Sequence, residues 1–194
     1  MKLCGLTGGV GMGKSTAAGF FLQLGARVVD TDELARELVR PGQPALVEIR
    51  HEFGHGIVAA DGKLKRGALA RLVFSDAGSR KKLEAILHPR IREGWQAQVK
   101  LWRQESCSLA LVVIPLLFET AAESHFEKII CVACSPAAQR ERLFARGWNA
   151  DQVRQRIGAQ LPVEQKIAGS HFILWTEGLP AVHRQQVGRI LGRL

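Results

Sequence analysis

Short apolar runs alternate with longer stretches of mixed polar and apolar residues over the first thirty positions. Residues 3–6 form an apolar run, a glycine-rich turn follows, and the pattern over residues 14–24 indicates a helix that Gly25 ends. A second apolar run at residues 26–29 closes at Asp30. A strand, a helix and a second strand in this order predict a parallel sheet with right-handed crossover connections.

The following seventy residues carry helical patterns and no convincing strand. Helices are predicted at residues 33–39, 44–52 and 67–74, and from Ser75-Asp76 to about residue 104. Strand patterns return at residues 109–114, 128–133 and 172–175, and helices at residues 136–146, 151–160, 163–168 and 180–194. We therefore predict an α/β core of residues 1–32 and 108–194, interrupted by a helical insert of residues 33–107.

A phosphate-binding motif lies between the first strand and the first helix. The segment Gly8-Gly9-Val10-Gly11-Met12-Gly13-Lys14-Ser15 matches G-x-x-x-x-G-K-[ST] at every fixed position. Its glycines let backbone N–H groups surround phosphate oxygens, and the helix that follows presents its positive N-terminus. In this motif the lysine reaches the β- and γ-phosphates and the hydroxyl of Ser15 binds Mg²⁺. The motif predicts binding of ATP or a related nucleotide.

Two carboxylates follow the second strand, in the segment Asp30-Thr31-Asp32. Ligands of open α/β sheets bind beyond the carboxyl ends of the strands, and we expect this strand to end beside the P-loop. One carboxylate can accept a proton from an attacking hydroxyl. The alternative is that Asp32 only caps a helix that begins at Glu33.

The charge of the chain favours a polyanionic partner. Lys and Arg number 27 against 18 Asp and Glu, which gives a formal net charge of +9. Both nucleic acid and a substrate with several phosphates fit this charge. The basic residues are scattered, which argues against a nucleic-acid tail. No apolar run is long enough to cross a bilayer, and the N-terminus reads as a strand, so we expect a cytoplasmic protein without a membrane partner.

Two sequence patterns have the spacing of metal-binding motifs, but the residues around them argue against a metal site. His51-Glu52-Phe53-Gly54-His55 has the spacing of a zinc hydrolase, but Gly54 and Gly56 predict that the helix ends inside the motif. Cys131 and Cys134 have C-x-x-C spacing, but they lie in a predicted buried strand, where this offset points the side chains to opposite faces.

Four segments together resemble the dephospho-coenzyme A kinase family of P-loop kinases over almost the whole chain. They are Gly5-Leu6-Thr7-Gly8-Gly9-Val10-Gly11, Asp30-Thr31-Asp32 with Ala35-Arg36, Leu87-His88-Pro89 with Ile91-Arg92, and Pro115-Leu116-Leu117-Phe118-Glu119. From the residues alone, His88-Pro89 is either a helix break or a place that presents His88 and Arg92 to an anion. Glu119 is either an acid just outside the ligands of the magnesium or a solvated loop residue.

The resemblance implies a P-loop kinase fold, with a parallel sheet flanked by helices, a helical substrate-binding insert and a helical lid at about residues 138–166. The activity implied is transfer of the γ-phosphoryl of ATP, with Mg²⁺, to the 3′-hydroxyl of dephospho-coenzyme A. Asp32 is then the base, assisted by Lys14 and by the lid arginine Arg142. The implied ATP-binding residues are Gly8, Gly9, Val10, Gly11, Met12, Gly13, Lys14, Ser15, Thr16, Arg142 and Arg146. The implied substrate-binding residues are Asp32, Arg36, His88, Arg92 and Leu116.

One segment departs from the family pattern. Around residues 170–176 the family has an Asp and then an Asn that reads the adenine, whereas this chain has His171 and then Trp175 or Thr176. In this chain, the adenine would have to be bound by stacking on Trp175 or by backbone groups instead of by the Asn. Two other functions stay open on the residues alone: a kinase for another small hydroxyl substrate, and a nucleotide-binding module that holds RNA.

Overall fold

Five parallel strands in the order β2-β3-β1-β4-β5 form the sheet of this protein, for which we use a computed structural model. The model describes all 194 residues except the side chain of Phe74. The strands are β1 (Lys2–Gly8), β2 (Arg27–Asp30), β3 (Leu109–Val113), β4 (Lys128–Ala133) and β5 (Phe172–Trp175). The predicted parallel sheet is confirmed, but β3 lies between β1 and β2, so the expectation that β2 ends beside the P-loop is wrong. The two strands that pair with β1, β3 and β4, come from much later in the chain.

Nine α-helices accompany the sheet in the part of the chain that the model describes. They are α1 (Lys14–Gln23), α2 (Thr31–Leu38), α3 (Pro44–Phe53), α4 (Arg66–Ser75), α5 (Ala77–Gln104), α6 (Pro136–Ala145), α7 (Ala150–Gly158), α8 (Val163–Ala168) and α9 (Pro180–Leu191). Short 3₁₀ helices lie at His55–Ile57 and Glu123–His125. None of the helices in the described chain is long and apolar enough to cross a membrane.

The chain divides into two compact units. An α/β unit comprises Met1–Asp30 and Leu101–Leu194, and a helical unit comprises Thr31–Lys100. The α/β unit packs α1 and α9 against the strands through buried side chains such as Phe21, Leu111 and Val187. The helical unit has its own apolar core, in which Ile49, Ile57 and Ile86 are buried. Each unit therefore buries its own apolar side chains, as a separately packed body does.

The predicted elements are present, and their ends differ by a few residues. Strand β1 continues to Gly8 because its backbone pairs with β4 up to Gly8 and Val132, so the first glycine of the motif belongs to the sheet. Helix α5 runs through Pro89 without ending, so the alternative that His88-Pro89 breaks the helix is wrong. Proline removes one helical hydrogen bond. The guanidinium of Arg90 binds the carbonyl oxygen of Ile86 in this turn at 2.6 Å.

At the edge of the sheet formed by β5, a side chain of α9 occupies the carboxyl end of the strand. Trp175 is the last residue of β5, and its N–H donates to Oε1 of Gln186 at 3.0 Å. Nε2 of Gln186 donates in turn to the carbonyl oxygen of Trp175 at 2.9 Å. A single glutamine amide thus pairs with both outward backbone groups of Trp175, as a neighbouring strand would.

Candidate active site

The glycine-rich motif forms a tight loop between β1 and α1, and its backbone requires glycine. Gly8, Gly11 and Gly13 have φ values of 144°, 76° and 94°, which side chains rarely tolerate. A Cβ atom on Gly8 would lie 2.2 Å from the carbonyl oxygen of Val132. Close backbone packing and left-handed φ values together produce the concave loop that a phosphate group requires.

Donor groups line the start of α1. The first helical hydrogen bond runs from the N–H of Ala17 to the carbonyl oxygen of Gly13 at 3.0 Å, so the N–H groups of Ser15 and Thr16 precede the helical ladder. The side chain of Ser15 is exposed there. A serine hydroxyl at this helix N-terminus is an oxygen ligand of the kind that Mg²⁺ binds together with substrate phosphates. The loop and this first turn therefore fit a magnesium-bound nucleotide.

Lys14 folds back over the loop. Its Nζ donates to the carbonyl oxygens of Gly8 at 2.9 Å and Gly9 at 3.1 Å. The ammonium group consequently lies at the mouth of the loop, next to the carboxyl end of β1. This position fits the role that the motif predicts for the lysine.

Two glutamines that are distant in sequence hold the Val10 backbone. The N–H of Val10 donates to Oε1 of Gln160 at 2.8 Å, and its carbonyl oxygen accepts from Nε2 of Gln139 at 2.8 Å. Gln139 lies in α6 and is buried, and Gln160 follows α7. Sequence reasoning missed both, because nothing local to a glutamine signals a partner that is more than a hundred positions away.

Thr176 connects the loop to the predicted lid. Its hydroxyl donates to the carbonyl oxygen of Met12 at 2.8 Å and accepts from Nη1 of Arg142 at 2.9 Å. A second nitrogen of Arg142 donates to the backbone carbonyl of Thr176. In the segment of residues 170–176, which departs from the family pattern, Thr176 is therefore buried against the P-loop, whereas Trp175 is 42% exposed. The contact of Thr176 with the loop is a third one that the sequence pattern did not reveal.

His171, at the other end of the departing segment, has a structural contact. Its Nδ1 accepts a hydrogen bond from the N–H of Ile129 at 3.1 Å, beside the point where β5 begins. An aspartate carboxylate at this position would also be an acceptor. The change from the family's Asp therefore preserves the chemistry of an acceptor for a backbone N–H.

Glu119 belongs to a buried charge pair. Its Oε1 lies 2.7 Å from Nζ of Lys166, whose side chain is fully buried, and the Glu119 side chain is 18% exposed. The same Oε1 accepts from the N–H of Leu161 at 2.8 Å, and Lys166 also donates to the carbonyl oxygen of Pro115 at 2.8 Å. Of the two alternatives for Glu119, the solvated loop residue is therefore wrong. Oε2 of Glu119 is buried without a hydrogen-bond partner among the described atoms.

The remaining P-loop and lid residues lie in the same α/β unit. Thr16 is exposed in the first turn of α1, and Met12 is buried. Arg146 is exposed directly after α6, four positions beyond Arg142. Leu116 is half-buried in the loop that follows β3.

The helical unit carries Asp32 and the predicted substrate-binding cations. Helix α2 begins at Thr31, so Asp32 is exposed within the first helical turn rather than capping a helix that starts at Glu33. Arg36 is exposed on the same helix. His88 and Arg92 are four positions apart in α5, which places them on one face.

Helices α2 and α5 touch within this unit at a small residue. A Cβ atom on Gly94 of α5 would lie 3.5 Å from Cδ1 of Leu34 of α2. Gly94 and Leu34 are each two positions from a predicted substrate-binding arginine, Arg92 and Arg36. Each arginine therefore lies about 200° around its helix from this contact.

The two metal-like patterns have ordinary structural explanations. Helix α3 ends at Phe53, inside the H-E-x-x-H motif, so His51 and His55 belong to different helices, as predicted. Cys131 is buried in β4, and burial raises the pKa of its thiol to about 11. Among the side chains that the model describes, no group of three histidines, cysteines or carboxylates is arranged to hold a metal ion.

Comparison with known proteins assigns the chain to a family. The family model described as CoaE, dephospho-CoA kinase, matches residues 2–179. The chain belongs to the dephospho-CoA kinase family. A relative named dephospho-CoA kinase from Bdellovibrio bacteriovorus is 41% identical over 174 residues, which cover 90% of this chain and 87% of the relative.

Solved structures support the same assignment and the P-loop kinase fold. The crystal structure of TT1252 from Thermus thermophilus is 31% identical with a TM-score of 0.83 and covers 100% of this chain and 97% of that one. Dephospho-CoA kinase from Campylobacter jejuni is 25% identical with a TM-score of 0.72, over 100% of this chain and 97% of that one. The predicted family and fold class are confirmed.

Proposed function

We propose that this chain transfers the γ-phosphoryl group of ATP to the 3′-hydroxyl of dephospho-coenzyme A. The observation that carries the proposal is the complete phosphate loop with Lys14 at its mouth, in a chain of the dephospho-CoA kinase family. Dephospho-coenzyme A is an anionic substrate, which fits the formal net charge of +9.

The P-loop is the proposed site for the phosphates of ATP. The N–H groups of Gly11, Gly13 and Ser15 belong to the concave loop and the start of α1, where the helix dipole favours anions. We expect Nζ of Lys14 to exchange the carbonyl oxygens of Gly8 and Gly9 for oxygens of the β- and γ-phosphates. The Ser15 hydroxyl is the proposed protein ligand of Mg²⁺. The bound ion offsets charge on the β- and γ-phosphate oxygens.

Asp32 is the proposed base. Its carboxylate is exposed in the first turn of α2, where a substrate hydroxyl has access to it. Accepting the proton of the 3′-hydroxyl makes the oxygen a better nucleophile and orients it toward the γ-phosphorus. Because phosphoryl transfer has a loose transition state, orientation contributes as much as basicity.

Arg142 and Arg146 are the proposed lid cations. Arg142 is held by two hydrogen bonds to Thr176, whose hydroxyl also binds the loop, so its guanidinium lies close to the P-loop. Arg146 is exposed one helical turn further on. Guanidinium groups near the transferring phosphoryl offset the negative charge on its oxygens in the transition state.

Arg36, His88, Arg92 and Leu116 are the proposed substrate contacts. Arg36 is exposed on α2 and Arg92 on α5, and arginine pairs with phosphate through two parallel hydrogen bonds. His88 lies on the same face of α5 as Arg92. These cations fit the phosphate groups of dephospho-coenzyme A, and the apolar Leu116 fits its less polar parts.

A coupled kinase assay tests the proposal. The purified chain receives ATP and Mg²⁺ with dephospho-coenzyme A, adenosine or a common nucleotide as acceptor, and release of ADP is followed. We expect turnover with dephospho-coenzyme A and a product in which phosphorus NMR detects a new 3′-phosphate. Turnover only with adenosine or a nucleotide would contradict the proposal and favour a kinase for another hydroxyl substrate.

A further inference from the structure

The backbone of the P-loop has few hydrogen bonds of its own. Within the loop, the N–H of Met12 donates to the carbonyl oxygen of Gly9 at 3.2 Å, a long bond. The glycines at positions 8, 11 and 13 have left-handed or extended positive φ values, which leaves the loop conformationally permissive. Its shape therefore depends on groups outside the loop.

Val10 is the point at which the loop is held from both sides. Gln160 accepts from its N–H and Gln139 donates to its carbonyl oxygen, each at 2.8 Å. Val10 is the third residue of the motif, between Gly9 and Gly11. Because the peptide groups on both sides of Val10 are held, rotation of the backbone at Gly9 and Gly11 is restricted. The backbone N–H groups that follow in the loop are thereby oriented.

The two glutamines belong to the two ends of the predicted lid. Gln139 lies in α6, before the exposed Arg146, and Gln160 lies just after α7. The position of α7 is thereby connected to the shape of the loop.

The backbone around Gln160 is anchored by other contacts. The N–H of Leu161 donates to Glu119, and Glu119 pairs with the buried Lys166. Truncating the Gln160 side chain therefore removes its contact with Val10 while the chain beside it keeps its anchor. A substitution at Gln160 can therefore change the P-loop without unfolding the lid.

We propose that Gln160, together with Gln139, is a positioning residue for the triphosphate of ATP. The pair holds the Val10 backbone so that the N–H groups of the P-loop already point toward the phosphates before ATP binds. Preorganised donors cost less to order at the moment of binding. The inference rests on the proposed function, because it concerns the same nucleotide site.

Gln160→Met tests the proposal, since methionine keeps the length and removes the acceptor. We expect the Kd for a non-hydrolysable ATP analogue, and the KM for ATP, to rise about five- to twentyfold, as loss of one or two well-placed hydrogen bonds does. The KM for dephospho-coenzyme A should change less than twofold. Gln185→Met, at an exposed position on α9 outside the predicted lid, is the matched control and should leave all three constants unchanged.

Two further measurements separate positioning from general destabilisation. Exchange of the Val10 amide hydrogen, followed by NMR without ligand, should become faster in Gln160→Met. The effects of Gln139→Met and Gln160→Met on the Kd should be less than additive in the double variant, because both act on the same residue.

Several results would overturn the proposal. An unchanged Kd would show that the contact does not position the loop. A lowered Kd would show that Gln160 blocks a phosphate position instead. Equal rises in both KM values, with a lower Tm, would show a purely structural role. The Kd measurement needs no acceptor, so the inference can succeed even if the chain fails to phosphorylate dephospho-coenzyme A.

Discussion

Glu119 and Lys166 form a buried ion pair at 2.7 Å between the loop after β3 and helix α8. The carboxylate also holds the N–H of Leu161, and the ammonium group also holds the carbonyl oxygen of Pro115. The pair and its backbone contacts therefore join the loop after β3 to Leu161 and helix α8, which lie 42 to 51 positions later in the chain. Because the pair is buried, each charge has lost its hydration and is stabilised by the other charge.

Lys166→Met should destabilise the protein strongly. The substitution leaves the Glu119 carboxylate buried without its cation, which costs about 3–5 kcal/mol of the free energy of unfolding. The double variant with Glu119→Gln should recover part of this loss, since no unpaired charge remains. Urea unfolding of the two variants and of the unchanged protein measures the effect, and a double variant less stable than Lys166→Met would contradict this explanation.

Lys14→Ala should lower kcat at least about a hundredfold, because it removes a preorganised positive charge from the phosphates. We expect the fold to persist, since the hydrogen bonds that Nζ of Lys14 donates to the carbonyl oxygens of Gly8 and Gly9 lie at the mouth of the loop. Steady-state kinetics and circular dichroism check the two statements. Lys100→Ala, at an exposed position on α5, is the control. An active Lys14→Ala enzyme would refute the role of the P-loop.

Asp32→Asn should lower kcat about a hundredfold or more, because the amide cannot accept the hydroxyl proton. Its effect on stability should be small, since a carboxylate in the first turn of a helix contributes about 0.3–1 kcal/mol. Glu33→Gln removes the same charge from the same turn and is the matched control. Equal kcat values for both variants would refute the assignment of Asp32 as the base.

ATP should slow hydrogen exchange in the predicted lid, residues 138–166. Helix α7 lies between the two P-loop contacts of Gln139 and Gln160, and many of its side chains are exposed. We expect slower exchange in α7 with a non-hydrolysable ATP analogue, while exchange in α9 stays unchanged. Mass spectrometry of peptides from the two helices measures this. Unchanged exchange in α7 would contradict a closing lid.

Cys107 should react with a thiol reagent at pH 8 well before the other three cysteines. It is half-buried, whereas Cys4, Cys131 and Cys134 are buried. Burial raises the pKa of Cys4 and of Cys131 to about 11, so roughly one in a thousand of these thiols is ionised at pH 8. Cys107→Ser should remove the fast phase. Raising the pH toward 11 should speed the reaction of the buried thiols by increasing their thiolate fraction.

Local sequence patterns were sufficient to predict the helices, the strands and the glycine-rich loop, whose role as a nucleotide site stays a prediction. Each strand and helix has its own hydrophobic pattern, and the P-loop from Gly8 to Ser15 is contiguous. The strand order was not predictable in the same way, because β3 enters between β1 and β2 after a long helical excursion. Register and order depend on which apolar faces pack together in three dimensions.

The residues that hold the P-loop in place were not predicted either, because their contacts also depend on packing in three dimensions. Gln139, Gln160 and Thr176 contact the loop from positions 129 to 164 residues away. Their residue types are common on exposed helix and loop surfaces, so burial and partner are visible only in the fold. Glu119 was noticed, but its partner Lys166 was not, because a lysine in a short helix is ordinarily exposed.

The pairing of Gln186 with Trp175 has a consequence for the association of separate molecules. An exposed sheet edge offers unpaired N–H and C=O groups to which a strand of another chain can add. At the carboxyl end of β5 these groups are already occupied by the glutamine amide. Edge-to-edge growth into aggregates is therefore blocked at this residue by a side chain of the same molecule.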